Sequence, residues 1–388
     1  MAIVERDIQK TLTRRLQETA PLLQVLVGPR QVGKTTAIIG AMAGHGVYQS
    51  ADSPVPLRSS VLEQWWQQAL DHPDRILAVD EIQKIPDWAD ALKKLWDTRP
   101  GLKAVVSGSA ALLVEKGLHE SLAGRFELIR AEHWGLDEAA AAFGTTLEQF
   151  VEFGAYPGAA RFLNDVERWA SYVRESIVEP ILGRDLLQLH PVDRPAVLRQ
   201  VFGVAISLPA QLVSLQKIQG ELQNAKGTLP TISNYLRLLG DAFIVSAIRK
   251  YSPHQHHSRS SIPKLIVHDN ALLRAFERPV TGRLAGSRLG CYFENAIGSR
   301  FVEAGWETWY WKDRDLEVDY VVLGPSGENW AIEAKSGEVG ERDLRGLFAF
   351  CRKYPTFEPC VVRQHQGKPL HGVRELDVRQ LLSLHRRL

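Results

Sequence analysis

Cysteine is scarce: only Cys291, Cys351 and Cys360 occur in 388 residues, and no two form a CxxC pair. That excludes a disulfide framework and argues against a thiolate zinc site. Long apolar runs are missing too, so no segment reaches the ~20 residues that a membrane-spanning helix needs. The stretch from Met1 to Lys10 mixes charged with apolar side chains and offers no apolar core ahead of a cleavage site. These absences give the expectation of a cytoplasmic protein without a membrane partner. Repeats, heptads and low-complexity tracts are also absent, apart from a small polar stretch from Ser252 to Ser261. Net charge is almost nil, with 47 Lys and Arg against 45 Asp and Glu. Any case for a polyanionic partner therefore has to be local.

What is present is ordinary in bulk. A composition 45% hydrophobic and 24% charged excludes global disorder. At ~150 residues per domain, the length predicts two or three domains. Short apolar runs at 22–27, 48–52, 75–80, 103–107 and 126–130 alternate with amphipathic stretches at 34–43, 57–70 and 86–97. That alternation predicts an α/β fold with a doubly wound parallel sheet. From 135 to 189 the pattern is helical, interrupted by Gly154, Pro157 and Gly158, and predicts a lid or connector. Helices at 215–222 and 230–239 followed by apolar Phe243 to Ile248 give the element order of a winged helix. A helix at 292–304 and strands at 307–312, 317–323 and 330–335 predict a further α/β unit with an antiparallel hairpin. The expected units are 1–134, 135–207, 208–255 and 256–388.

The segment Gly28, Pro29, Arg30, Gln31, Val32, Gly33, Lys34, Thr35 fits G-x-x-x-x-G-K-[ST], follows an apolar strand and opens a helix. Glycines let the loop curl so that its N–H groups, with those up to Thr36, converge on phosphate oxygens at a helix N-terminus. The expected ligands are ATP and Mg²⁺. Lys34 is assigned to the β and γ phosphates, and the Thr35 hydroxyl to the metal. Arg75 to Glu81 is an apolar strand ending in two acids, whose like charges need a cation. Asp80 is expected to hold Mg²⁺ or its water shell, and Glu81 to polarise the attacking water. The next strand ends in Ser107, Gly108 and Ser109, where a hydroxyl senses the γ-phosphate or caps the following helix. Sequence does not choose well between the two serines, and Ser109 is taken as the sensor. Arg125 lies just before the last strand, as a surface arginine or as a finger into a neighbouring subunit's nucleotide.

The motif set GPRQVGKTT (28–36), ILAVDEIQKIPDW (76–88), VVSGSAALL (105–113), SLAGR (121–125) and FGAYPGA (153–159) resembles the bacterial and archaeal AAA-type P-loop ATPases. In those proteins the C-terminal half, a domain of unknown function, combines a winged helix with a PD-(D/E)xK nuclease-like fold. The resemblance spans nearly the whole chain. It implies that Arg125 is the arginine finger and that homo-oligomers, including rings, form. The chain departs from the pattern at Ala110, where the family usually has a further serine.

Between Lys226 and Lys264 stand six basic residues (Lys226, Arg237, Arg249, Lys250, Arg259, Lys264) and one acid, Asp241. If 231–237 is a recognition helix, Thr231, Ser233, Asn234 and Arg237 face outward, ready for phosphates or base edges. A protein-interaction module is the other reading of the same elements. His254, His256 and His257 read as a solvated polar loop, since no acidic or thiol ligand lies near.

A hairpin centred near Ser326 would set Asp319 opposite Glu333 on one face, with Lys335 beside them. The inference depends on register. With Glu294 from the preceding helix, these residues form a possible second metal site for phosphodiester hydrolysis and match the D…E-x-K pattern of restriction-endonuclease-like folds. A charge-compensated hairpin face is the plainer alternative. The sequence thus predicts an Mg²⁺-dependent ATPase acting on DNA. Its alternatives are an ATP-regulated, metal-dependent DNA nuclease and an ATP-switched scaffold that binds no nucleic acid.

Overall fold

A computed structural model describes residues 4–19, 21–108, 120–189, 192–222, 227–253, 261–365 and 367–386. The chain forms two compact units, one of residues 2–132 and 184–191, the other of 133–183 and 192–387. Ser109, Lys226, His254, His256, His257 and Arg259 lie outside the described residues.

The first unit holds β1 (Leu23–Val27), β2 (Val47–Ser50), β3 (Ile76–Asp80), β4 (Lys103–Gly108) and β5 (Phe126–Arg130). All pair in parallel in the order β2-β3-β4-β1-β5. β1 and β3 are buried along their whole length, as strands covered on both faces must be. Trp65 and Trp66 of the Ser60–Asp71 helix and Trp88 of the Trp88–Thr98 helix join Val25, Val27 and Val79 in one core. The indole N–H of Trp66 donates to the Arg99 carbonyl at 3.0 Å, so its polar atom is not stranded. The helix expected to open at Pro86 starts at Trp88, because Asp87 takes a left-handed φ of 52° just before it.

The second unit carries a mixed seven-stranded sheet. Its strands are β6 (Val245–Lys250), β7 (Lys264–Val267), β8 (Glu307–Asp313), β9 (Leu316–Leu323), β10 (Asn329–Lys335), β11 (Glu358–Arg363) and β12 (Arg374–Leu376). The strand order is β12-β11-β10-β9-β8-β6-β7. Helices Pro195–Ser207, Leu215–Glu221 and Leu229–Asp241 precede β6. The last of them opens at Thr228, whose side chain accepts the Thr231 N–H. The strand expected at Phe243 begins two residues later, because Phe243 itself turns the chain with a φ of 57°. β6 pairs with β7, and its far end runs parallel to β8 through Arg249–Trp309 and Lys250–Tyr310. β6 and β7 therefore belong to the same sheet. The Arg345–Lys353 helix lays Leu347 and Phe350 against Val318, Val321 and Val361, closing a core on that face. Among the described residues no helix is long and apolar enough to cross a membrane.

Candidate nucleotide site and C-terminal acidic cluster

β1, β4 and β3 are neighbours, so their C-terminal ends set the Gly28–Thr35 loop, Ser107 and Asp80 side by side. Two glycines of the loop are dictated by geometry. Gly33 has a φ of 92°, where an L side chain is strained, and a Cβ on Gly28 would lie 2.3 Å from the Ala131 carbonyl oxygen. Buried Arg6 braces the loop by donating to the carbonyls of Val32 (2.7 Å) and Glu132 (3.2 Å). The Lys34 ammonium is buried and donates to the carbonyls of Gly28 (3.0 Å) and Pro29 (2.7 Å). Burial pulls its pKa down to about 8, against the opposing pull of the Glu81 and Asp80 charges.

Asp80 is the hub of the site. Its two carboxylate oxygens accept from the hydroxyls of Thr35 (2.5 Å), Tyr48 (3.2 Å) and Ser107 and from the Glu81 N–H (3.1 Å). Burial, then the Asp80 charge, raises Tyr48 to about 12, so it keeps its proton and stays a donor. Ser107 thereby positions Asp80. Glu81 sits in the left-handed region at φ 55°, a strain of about 1–3 kcal/mol for a side chain of this kind. Its carboxylate is held by the Gln83 amide at 2.6 Å. These oxygens suit a hard divalent cation, with Thr35 and Asp80 as its holders, while Lys34 and the loop N–H groups suit phosphate. Arg30 makes a forked pair with Asp185, a contact that sequence reading missed because its partners are 155 positions apart. It links Asp185 to the loop within the first unit. Arg125 is forked onto Asp97 (2.7 and 2.9 Å), an exposed pair that must open before the guanidinium can serve another site.

The lowered pKa of Lys34 has a measurable sign. Bound phosphates restore the proton, so ATP affinity should be full below pH 8 and fall as pH rises through it. A loss of about tenfold by pH 9 corresponds to one unit above the free-state pKa. Calorimetry in buffers of differing ionisation enthalpy should register proton uptake on ATP binding at pH 8.5, and none in Lys34→Met.

In the second unit, Asn329–Leu323 through Ile332–Tyr320 pair in a register centred on Ser326, and Glu333 and Asp319 stand one position beyond the last of these pairs. Asp319 and Glu333 are buried, and the Lys335 ammonium bonds Glu333 at 2.6 Å. One Asp319 oxygen accepts the Ala334 N–H at 2.9 Å. The residue not foreseen is Lys264. Counted in the sequence as part of a basic segment, it is fully buried at the start of β7. Its ammonium pairs with Glu294, reaches the Asp319 carbonyl at 3.2 Å and its carboxylate at 3.7 Å, and lies 4.0 Å from Glu317. A lone lysine opening the apolar run Lys264 to Val267 was the available signal. Burial, then the Asp319 charge, raises the pKa of both Glu294 and Glu333, and one Glu333 oxygen is buried without a partner. Glu294 and Asp319 thus gather on the Lys264 ammonium, and Glu333 on that of Lys335. Among the described residues they do not form a group of converging metal ligands; His133, His268 and Glu303 do.

The parallel sheet and the Gly28–Thr35 loop support a P-loop NTPase fold for the first unit. Residues 21–139 match a family described as an AAA domain. Residues 144–281 and 289–376 match two families described as domains of unknown function (DUF8612 and DUF4143). No curated protein matches the chain. Among solved structures, the Walker-type ATPase PABY2304 of Pyrococcus abyssi is 14% identical, with a TM-score of 0.46 over 71% of this chain and 95% of that one. The RuvB Holliday junction branch migration motor of Thermotoga maritima is 16% identical, with a TM-score of 0.34 over 65% and 90%. The S. cerevisiae Hsp104–ADP complex is 16% identical, with a TM-score of 0.33 over 62% and 38%.

Proposed function

We propose that this chain hydrolyses ATP with Mg²⁺ at the Gly28–Thr36 loop and couples that cycle to DNA held by the second unit. The observation that carries the first half is the Asp80 carboxylate, which gathers Thr35, Tyr48 and Ser107 beside the buried Lys34. In this reading Lys34 neutralises phosphate charge, Thr35 and Asp80 hold Mg²⁺, and Glu81 orients the attacking water. Arg125 completes a neighbour's site in a homo-oligomer.

For the second half, the support is a groove of about 1020 Å³ lined by Ser233, Asn234, Arg237, Ser246 and Arg249. Ser233, Asn234 and Arg237 are exposed on the Leu229–Asp241 helix, the expected recognition helix, and Arg249 is exposed at the end of β6. DNA phosphates suit the two arginines. We read the acidic cluster as non-cleaving, since Lys264 supplies the positive charge between Glu294 and Asp319.

The deciding assay measures ATP turnover with and without single-stranded, duplex and branched DNA. Stimulation by any form supports the coupling; identical rates throughout, with no DNA binding, leave the protein-scaffold reading. Arg237→Ala with Arg249→Ala should weaken DNA binding similarly across sequences and lower the salt slope by about 2. An unchanged slope would remove this groove as the DNA surface.

A further inference from the structure

Three residues far apart in sequence meet in the interior of the second unit: His133, His268 just after β7, and Glu303 at the end of the Gly286–Glu303 helix. All three are buried. The Nδ1 atoms of both imidazoles aim at the same oxygen, Glu303 Oε1, at 3.1 Å for His133 and closer still for His268. The other Glu303 oxygen accepts the His133 backbone N–H at 3.0 Å. We propose that His133 Nδ1, His268 Nδ1 and Glu303 Oε1 bind one divalent transition-metal ion of the zinc type.

Four features converge on this reading. Two imidazole nitrogens and a carboxylate oxygen are the donor set of tetrahedral zinc, whose ligands stand about 2.0–2.2 Å from the ion and hence roughly 3.3 Å from one another. The far nitrogen of each ring is already engaged, His133 Nε2 with the Tyr156 hydroxyl at 3.0 Å and His268 Nε2 with the Ser246 hydroxyl at 2.8 Å. Such partners fix ring orientation and tautomer around a metal. A cavity of about 10 Å³ borders His133, His268 and Asp269, room for about one water as a fourth ligand. Charge also favours a cation locally. Asp269 is a second buried carboxylate on that cavity, held by the N–H groups of Ala155 (3.1 Å) and Ala271 (2.7 Å). Asp269 and Glu303 against the one guanidinium of Arg300 leave a net negative charge that a cation meets. Arg300, also on the cavity, directs its guanidinium to the carbonyls of His133 and Leu384.

The ion would act as a clamp, tying the first residue of the second unit to β7 and to the long helix. It is separate from the Asp80 site and from the Lys264 cluster. A proton-only network makes a different prediction, because two neutral imidazoles donating to Glu303 satisfy the same atoms without metal.

Cobalt titration of the chelator-treated, tag-free, full-length protein without nucleotide distinguishes them. The expected result is one equivalent of Co²⁺ with the intense visible bands of tetrahedral coordination, displaced by Zn²⁺, and a Zn²⁺-dependent rise in Tm. His268→Gln and Glu303→Gln should lose both signals. Should those variants fail to fold, Tyr156→Phe keeps all three ligands and should bind Co²⁺ about 10–100-fold more weakly. Absence of tetrahedral bands in the wild type, or bands and affinity unchanged in Tyr156→Phe and His268→Gln, would overturn the assignment.

Discussion

Lys34→Ala should lower ATP turnover by at least ~10²-fold, the size of effect that follows loss of one preorganised charge from a transition state. The fold should survive the change. The Lys34 ammonium donates to the Gly28 and Pro29 carbonyls of its own loop, so its loss breaks no hydrogen bond to another element. Burial already opposes its charge, so removing it relieves a desolvation cost. Circular dichroism and Tm near wild type, with phosphate release at background, is the expected pair of results. Wild-type turnover in the purified variant would refute the catalytic assignment of the loop. Glu81→Gln tests the other side of the reaction: ATP should still bind, since Lys34, Thr35 and Asp80 are intact, while the attacking water loses its acceptor.

Lys264→Met should destabilise the second unit by about 3–5 kcal/mol, the cost of removing one member of a buried ionic set and leaving the others. The side chain is fully buried, and Glu294 and Asp319 converge on its ammonium. Methionine preserves most of the volume and none of the charge. Urea unfolding of the second unit's transition gives the number. The sign with pH is also determined. The ammonium is needed while Glu294 is ionised; burial, then the Asp319 charge, raises the pKa of Glu294, so the deficit should be largest at alkaline pH and shrink as pH falls and Glu294 takes up a proton. Combining Lys264→Met with Glu294→Gln should recover part of the loss, because the neutral amide no longer needs a counter-ion. A single-variant effect below ~1 kcal/mol would mean that the ammonium is not balancing these acids.

Much of the first unit was legible as a string. Five apolar runs became five strands, because a parallel sheet covered on both faces needs continuous apolar segments, and the loop motif follows the first of them. The hairpin about Ser326 was legible because a strong turn segment between two strand-like runs gives a centre from which the register counts. Helix starts were less so, as at Trp88, since a left-handed residue such as Asp87 has no spacing signal.

The sequence by itself determined the local chemistry: the loop that curls for phosphate, the acids that end β3, and the paired positions of Asp319 and Glu333. These depend on neighbours in the chain, where backbone geometry makes spacing into position. Only the tertiary structure decided which charges meet. Lys264, one of a basic segment in the sequence, joined the acidic cluster, Asp185 came to Arg30, Ser107 came to Asp80, and His133, His268 and Glu303 met in one interior. Each is a contact between segments that no periodicity links, brought together because a buried charge or polar group needs a partner wherever the fold supplies one.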